Sequence, residues 1–133
     1  TKSVENLNPF KRVEAETIAW SEGLKTKSDE TVGVYVSNID NNDFIKIRSV
    51  DLGKGAKKFE AGVATAKSGS IEIRIDEKDG ELLGVLSVTG TGGEQNWKTL
   101  STKMKEAKGV HDVYLVFKGE DKDLFNFDWW QFN

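Results

Sequence analysis

Glycine-containing turns recur along the chain at intervals of roughly ten residues, and they restrict its fold more than any other feature. The sequence holds 13 glycines and a single proline. The turns read Gly53-Lys54-Gly55, Ser68-Gly69, Asp79-Gly80, Gly90-Thr91-Gly92-Gly93, Lys108-Gly109 and Lys118-Gly119. Short segments separated by such turns are typical of all-β chains, which leaves little room for long helices.

The segments between the turns alternate apolar and polar residues with a period of two. Ile71–Ile75 places three isoleucines on one face, and Phe59–Thr65 follows the same rule. Val113–Phe117 also alternates, but Tyr114 and Val116 make its second face apolar, which predicts a central strand. Without any alternation of helix and strand, the pattern favours a sandwich of two antiparallel sheets.

The segment 96–108 is the one place where a helix competes with a strand. Trp97, Leu100 and Met104 recur at helical spacing. Threonines, a serine and flanking glycines weaken that pattern, so we expect a loop carrying Trp97, followed by a strand. The preceding Gly90–Gly93 lacks the Lys-Ser/Thr of a phosphate-binding loop, and we expect it to form a hairpin turn.

Length and charge set the class of protein. With 133 residues the chain suits one domain, 1–133, in which residues 1–7 are expected to be disordered or a linker. The formal charge of −3, from 19 basic and 22 acidic residues, argues against nucleic-acid binding. No apolar run approaches the roughly 20 residues of a membrane span, so no membrane partner is expected. The absence of cysteine excludes disulfides and thiolate chemistry.

Catalysis has weak support in the sequence. His111 is the only histidine, which excludes a histidine metal cluster, and no nucleophile-elbow motif accompanies it. Acidic clusters at 40–43 and 120–123 have the residue types for acid/base chemistry on a glycoside, but such clusters are usually solvated turns. Binding is therefore favoured over catalysis.

Two further patterns stand out. In the segment 13–16, Glu14 and Glu16 leave a strand on the same face, which suits a hard cation such as Ca²⁺ or simply an exposed strand face. The segment 124–132 carries five aromatic residues in nine. That density exceeds what one strand face buries, so the segment either contributes polar residues to a site or is covered on both faces.

Several of these segments together resemble family 6 carbohydrate-binding modules. The resemblance covers residues from about 8 to 132. Within the family, the chain is similar to the modules attached to arabinoxylan-degrading hydrolases. The resemblance is carried, in order, by the Glu-Ala-Glu strand at 14–16, Asp40-Asn41-Asn42-Asp43-Phe44-Ile45, Ile71-Glu72-Ile73-Arg74-Ile75-Asp76, Gly109-Val110-His111-Asp112-Val113-Tyr114-Leu115 and Phe125-Asn126-Phe127-Asp128-Trp129-Trp130.

The resemblance implies a β-sandwich jelly roll that binds sugar without catalysis. It also implies a structural Ca²⁺, for which Glu14, Glu16 and Asp128 are the expected ligands. Such a module belongs to a secreted, extracellular glycoside hydrolase and is covalently linked to its catalytic domain. The start has no signal peptide, so an exported protein would be represented here by a mature or excised fragment. A monomer is expected.

The resemblance further assigns a binding cleft, in which a tyrosine and a tryptophan sandwich a sugar ring and an asparagine binds its hydroxyls. Trp97 and Asn126 match two of these positions. Asn38 stands where the family has the tyrosine, and Tyr35 lies three residues earlier, on the opposite face of a regular strand. Lys27 replaces a glutamate at the lip of the cleft. In a second cleft, on the face of one sheet, Phe44 replaces a tryptophan.

Xylan or arabinoxylan is the leading expected ligand, again from the resemblance. The altered cleft keeps β-1,3- or mixed-linkage glucan open as an alternative. A catalytic glycosidase domain is a second, less favoured alternative, which would require turnover by the isolated chain.

Overall fold

The computed structural model describes residues 7–15, 20–22, 24–29, 33–120, 122 and 124–133. In this part of the chain there are strands and no helix. The strands are β1 (Val13–Glu14), β2 (Trp20–Glu22), β3 (Lys25–Asp29), β4 (Gly33–Ser37), β5 (Phe44–Asp51), β6 (Ala56–Thr65), β7 (Gly69–Ile75), β8 (Glu81–Val88), β9 (Gly93–Ala107), β10 (Val110–Lys118) and β11 (Asn126–Phe132).

The strands form two antiparallel sheets, as the alternation predicts. The first sheet has the order β3-β4-β11-β6-β9, with β1 also paired to β11. The second sheet has the order β2-β5-β10-β7-β8. A search of the described residues finds no helix with the length and apolar character needed to cross a membrane.

The core lies between the two sheets and is built from the predicted alternation. Ile71, Ile73 and Ile75 of β7 are buried, whereas Glu72 and Arg74 face outward. Each buried isoleucine contributes about 1.5–3 kcal/mol to folding. Strand β10 lies between β5 and β7, which confirms the prediction of a central strand. Its Val113, Leu115 and Phe117 are fully buried in the same core.

Strand β11 contains a β-bulge at Asp128. Phe127 pairs with Val63 and Trp129 pairs with Gly62, so Asp128 is an extra residue on β11. Asn126 faces out of the first sheet, and Asp128, two residues later, follows on the same face. The bulge lets Trp129 face outward as well. Phe127, Trp130 and Phe132 are fully buried on the inner face. The aromatic segment therefore serves the core and the outer face together.

Trp129 lies flat on the outer face because its partner on β6 is a glycine. A Cβ atom added to Gly62 would stand 2.1 Å from Trp129 Nε1. The guanidinium carbon of Arg12 lies over the Trp129 ring, 4.0 Å from its centre. Trp129 is consequently only 8% exposed although it does not belong to the core.

The structure corrects one expectation about the segment 90–108 and refines another. Gly90–Gly93 joins β8 of the second sheet to β9 of the first, so it is a crossing between sheets and not a hairpin turn. Thr91 anchors this crossing, since its N–H donates to Thr65 O at 2.9 Å. Strand β9 begins at Gly93, but Gly93 pairs with Thr65 and Lys98 pairs with Val63. Residues 94–97, with Trp97, therefore bulge out of the ladder within the bounds of β9.

The first described residue already belongs to the fold. Leu7 forms a parallel bridge with Val50, donating to Ser49 O and accepting from Asp51 N. The expected linker thus does not extend to residue 7, and residues 1–6 lie outside the described part of the chain.

Candidate functional site

A small pocket of about 160 Å³ lies at one end of the outer face of the first sheet. Four of the six predicted binding residues line it, together with Ser37, Gln95 and Phe125. The four are Lys27, Tyr35, Asn38 and Asn126. Three segments that are distant in the sequence therefore meet at one place.

The strand register explains this meeting. Lys27 of β3 is the direct partner of Tyr35 of β4. Val36 pairs with Phe127, which sets Ser37 opposite Asn126 on the next position along the ladder. Because Tyr35 and Ser37 are two residues apart, both face outward beside Lys27 and Asn126. Neighbouring outward-facing side chains of β3, β4 and β11 thus form part of the pocket wall.

Asn38 reaches the same pocket through an irregular backbone. It follows the last residue of β4 and has φ of 55°, in the left-handed region that asparagine tolerates better than most residues. This turn removes Asn38 from the strand alternation. Tyr35 and Asn38 therefore line one pocket, although a regular strand would separate them.

The aromatic rings at the pocket contact each other. The centroids of Tyr35 and Trp97 lie 5.1 Å apart with 70° between the ring planes. Tyr35 is 4% exposed, and Trp97 is half-buried at the rim, outside the set of lining residues. Gln95 Nε2 donates to the Tyr35 hydroxyl at 3.3 Å. Tyr35 of β4 is therefore held in place by two residues of β9.

Amides and hydroxyls form most of the pocket wall. Asn38, Gln95 and Asn126 each offer amide donors and a carbonyl acceptor, and Ser37 Oγ donates to Asn38 Oδ1 at 3.2 Å. Among the described lining residues there is no carboxylate. The chemistry suits a compound with several hydroxyls.

Sequence reasoning missed three lining residues, Ser37, Gln95 and Phe125. Gln95 was detectable, because it lies two residues before Trp97 in the Gln95-Asn96-Trp97 motif. Phe125 was not predicted, because nothing in the sequence distinguishes it from the other aromatic residues of the segment 124–132. It is 3% exposed and packs against Phe117 at 5.6 Å, so it forms the floor of the pocket.

A second, larger groove of about 620 Å³ lies on the outer face of the second sheet. Its lining is charged: Glu72, Arg74, Lys78, Asp79, Val116 and Lys118. Phe44 lies beside this groove as the partner of Val116 and is 7% exposed. Lys78 Nζ stands 4.7 Å from the centre of the Phe44 ring and covers it. Phe44 therefore presents little ring surface to the groove.

Two of the three expected metal ligands lie on the outer face of the first sheet. Glu14 is the direct partner of Trp129, and Ala15 N donates to Asp128 O at 2.8 Å. Asp128 is 8% exposed. Glu16 lies outside the described residues, and within those residues no group of three or more acidic, histidine or cysteine side chains comes together.

The acidic cluster at 40–43 has a structural role. Asp43 Oδ2 accepts from Asp40 N at 2.8 Å, which closes the turn between β4 and β5. Asn41 Oδ1 accepts from Gly119 N at 3.2 Å and ties this turn to the end of β10. These contacts agree with the interpretation of the cluster as a turn.

His111 connects the second sheet to the turn that precedes β10. Its Nδ1 lies 2.8 Å from Asp76 Oδ1, and its Nε2 lies 2.7 Å from Lys108 O. The hydrogen bond to Asp76 raises the pKa of His111, against a smaller opposing effect of partial burial. The contacts are those of a structural histidine.

Comparison with known proteins places the chain in a family. The model of the family described as "Carbohydrate binding module (family 6)" matches residues 14–133. This match covers the described strands from β2 to β11 and reaches β1 at Glu14.

Two curated relatives are arabinoxylan arabinofuranohydrolases. That of Paenibacillus polymyxa is 46% identical over 134 residues, covering 96% of this chain and 21% of the relative. That of Bacillus subtilis (strain 168) is 44% identical over 136 residues, covering 97% of this chain and 26% of the relative. The chain thus spans about a quarter of the length of the curated relatives it matches.

A solved structure of similar size shares the fold. It is a family 6 carbohydrate-binding module from Clostridium cellulolyticum in complex with xylose, 38% identical, with a TM-score of 0.92. The alignment covers 96% of this chain and 99% of that one.

Proposed function

The chain belongs to family 6 of the carbohydrate-binding modules, and we propose that its small pocket binds a sugar unit of xylan or arabinoxylan. Family membership makes the chain a non-catalytic binding module. The glycosidase alternative therefore falls away, and a reducing-sugar assay on the pure protein is expected to detect no turnover.

One observation supports the pocket as the binding site: four residues predicted from the sequence line it with three more amide, hydroxyl or aromatic residues. The apolar C–H face of a sugar ring stacks on an aromatic face, here the exposed part of Trp97. Asn126, Asn38 and Gln95 lie where amides can satisfy the sugar hydroxyls. Tyr35 packs against the indole of Trp97 and supports it.

The proposed ligand follows from the relatives. Both curated relatives are named for arabinoxylan, and the similar module of known structure was solved with xylose. Recognition of β-1,3- or mixed-linkage glucan is the alternative outcome, because the ring sandwich of the family is altered here. Calorimetry with xylo-oligosaccharides and with β-1,3-gluco-oligosaccharides separates the two.

The proposed biological role is to keep a linked hydrolase on its substrate. Both relatives are hydrolases that contain a segment homologous to this chain. Tethering to a polymer raises the effective concentration of an enzyme there. We propose a secreted, extracellular, monomeric module. Gel filtration of the pure chain tests the monomer.

We also propose that Glu14, Glu16 and Asp128 hold one Ca²⁺. The donor set fits the ion, because Ca²⁺ prefers carboxylate and carbonyl oxygens. Two features of this chain support the proposal: β1 pairs with β11, and Glu14 lies opposite Trp129, the neighbour of Asp128. When bound, the ion would neutralise these carboxylates and tie the first strand to the last.

Substitutions at the two surfaces test which one binds. Trp97→Ala removes the ring that packs against Tyr35 at the small pocket, and Arg74→Gln alters the groove on the second sheet without touching the core. The proposal expects loss of binding in Trp97→Ala and full binding in Arg74→Gln. The reverse result would move the site to the second sheet.

A further inference from the structure

Among the described residues that line the small pocket, the charged one is a lysine. Of its described lining residues, Lys27 carries a charge and the others are amides, hydroxyls or aromatic rings. Lys25, two residues earlier on β3, shares the face of Lys27 and pairs with Ser37, another lining residue. Two lysines thus flank one side of the pocket.

The charge of Lys27 is not neutralised within the described part of the chain. No described carboxylate lies within salt-bridge distance of its amine, whereas other lysines and Arg74 do have such partners. The larger groove carries charges of both signs. There, Arg74 Nε pairs with Glu72 Oε1 at 3.1 Å, and Asp79 lies in the same lining as Lys78 and Lys118.

The size of the pocket limits what enters it. A volume of about 160 Å³ is well below the roughly 300 Å³ at which pockets for drug-sized ligands begin. It suits a single sugar unit, as found at the end of a chain or on a side branch. A carboxylate on that unit would lie near the open edge formed by Lys27.

We propose that this pocket prefers a sugar that carries a carboxylate, a uronic acid, which pairs with the amine of Lys27. The inference rests on the proposed function, because it uses the same pocket. It assigns Lys27 as a specificity-determining residue, and Asn38, Gln95 and Asn126 as groups for the hydroxyls that acidic and neutral sugars share.

Calorimetry with a matched pair of ligands tests the preference: one xylo-oligosaccharide with a glucuronic acid branch, and the same oligosaccharide without it. Lys27 is exposed, so the pair is expected to improve affinity about two- to fivefold. The preference should be largest at about 10 mM salt and disappear toward about 1 M, because salt screens exposed charges.

Variants assign the preference to Lys27. Lys27→Gln should bind both ligands with the affinity of the neutral one, and Lys27→Glu should favour the neutral ligand. Lys58→Glu is the matched control, since Lys58 is exposed near the opposite end of β6 in the same sheet. It should retain the wild-type preference.

The outcomes separate the inference from the function on which it rests. Equal binding of both ligands by the wild type, or an unchanged preference in Lys27→Gln, overturns the role of Lys27 and leaves sugar binding intact. Absence of binding to either ligand, and to β-1,3-gluco-oligosaccharides, overturns both.

Discussion

The indole of Trp97 meets the ring of Tyr35 edge to face, with centroids 5.1 Å apart and 70° between the planes. A sugar stacked between two aromatic rings needs two contacts of about 3.5–4 Å each, or a gap of about 7–8 Å. The two rings leave no such gap. The proposed stacking surface is therefore one face of Trp97, which Tyr35 supports.

Trp97→Ala should weaken binding to xylo-oligosaccharides more than thirtyfold, since aromatic residues at a binding centre contribute over about 2 kcal/mol. Because Trp97 lies in β9 against Tyr35, the variant should also lose about 0.5–1.5 kcal/mol of stability. Calorimetry and urea unfolding measure the two effects. Trp97→Phe, which keeps a ring, should bind better than Trp97→Ala; equal weakness in both would contradict stacking.

Tyr35→Phe should weaken binding about two- to tenfold and leave the fold unchanged. The variant keeps the ring but removes the oxygen that holds the Gln95 amide. Gln95→Ala should lose a similar amount. If Tyr35 acts by orienting Gln95, the double variant is no weaker than Gln95→Ala alone. Additive losses would show that the two side chains act independently.

Gly62→Ala should lower the free energy of unfolding by about 1–3 kcal/mol, because the new methyl group overlaps the Trp129 indole. Thr99→Ala, at the partner position on β9, is the control and should be nearly neutral. Trp129→Leu added to Gly62→Ala should cost less than the sum of the single losses. An additive double variant in urea unfolding would show that the overlap is not the cause.

The His111 contacts should make stability depend on pH. Both ring nitrogens face acceptors, so both can donate only when the imidazole is protonated. The raised pKa means that the stabilisation is complete below the unfolded-state pKa of about 6.5 and is lost as pH rises through the folded-state pKa.

Urea unfolding of the wild type and His111→Gln measures this between about pH 5 and pH 9. The difference in free energy of unfolding should shrink as pH rises. Asp76→Asn should reduce the pH dependence, because it removes the main cause of the raised pKa. A difference that stays constant across this range would contradict the assignment.

Calcium removal should destabilise the module. EDTA is expected to lower the melting temperature by about 5 °C or more, as for any ligand that binds the folded state alone. Glu14→Gln and Asp128→Asn should show a smaller response to EDTA. Glu77→Gln, an exposed acid in the turn before β8, should respond as the wild type does. An unchanged melting temperature together with a calcium-free metal analysis would rule the ion out.

The alternation of the sequence predicted the core well, because burial on one face of a strand repeats every second residue. Ile71–Ile75 and Val113–Phe117 lie as expected. The segment 96–108 was harder, since Trp97, Leu100 and Met104 fit either period until the pairing with β6 decides. Which sheet receives a strand depends on distant partners, which explains the error at Gly90–Gly93.

Four residues of the candidate pocket were predictable from the sequence, but their arrangement was not. Asn126 and Lys27 carry recognisable positions, yet the irregular backbone at Asn38 and the bulge at Asp128 leave no signature in composition or period. Each irregularity shifts the side-chain alternation by one residue, so that a side chain lies on the opposite face from the one that a regular strand would give it. The contact between Tyr35 and Trp97 depends on these local details and therefore emerges only in three dimensions.

The pairing of β1 with β11 has a consequence for how the molecule assembles. Val13 meets Trp130, so this contact closes almost the whole length of the chain. The entropy lost on closing a loop grows with its length, and β-sandwiches rich in such distant contacts fold in milliseconds to seconds. With only two residues in β1, this pairing should form last and open first. Amide hydrogen exchange at Ala15 would then report the earliest opening of the sandwich.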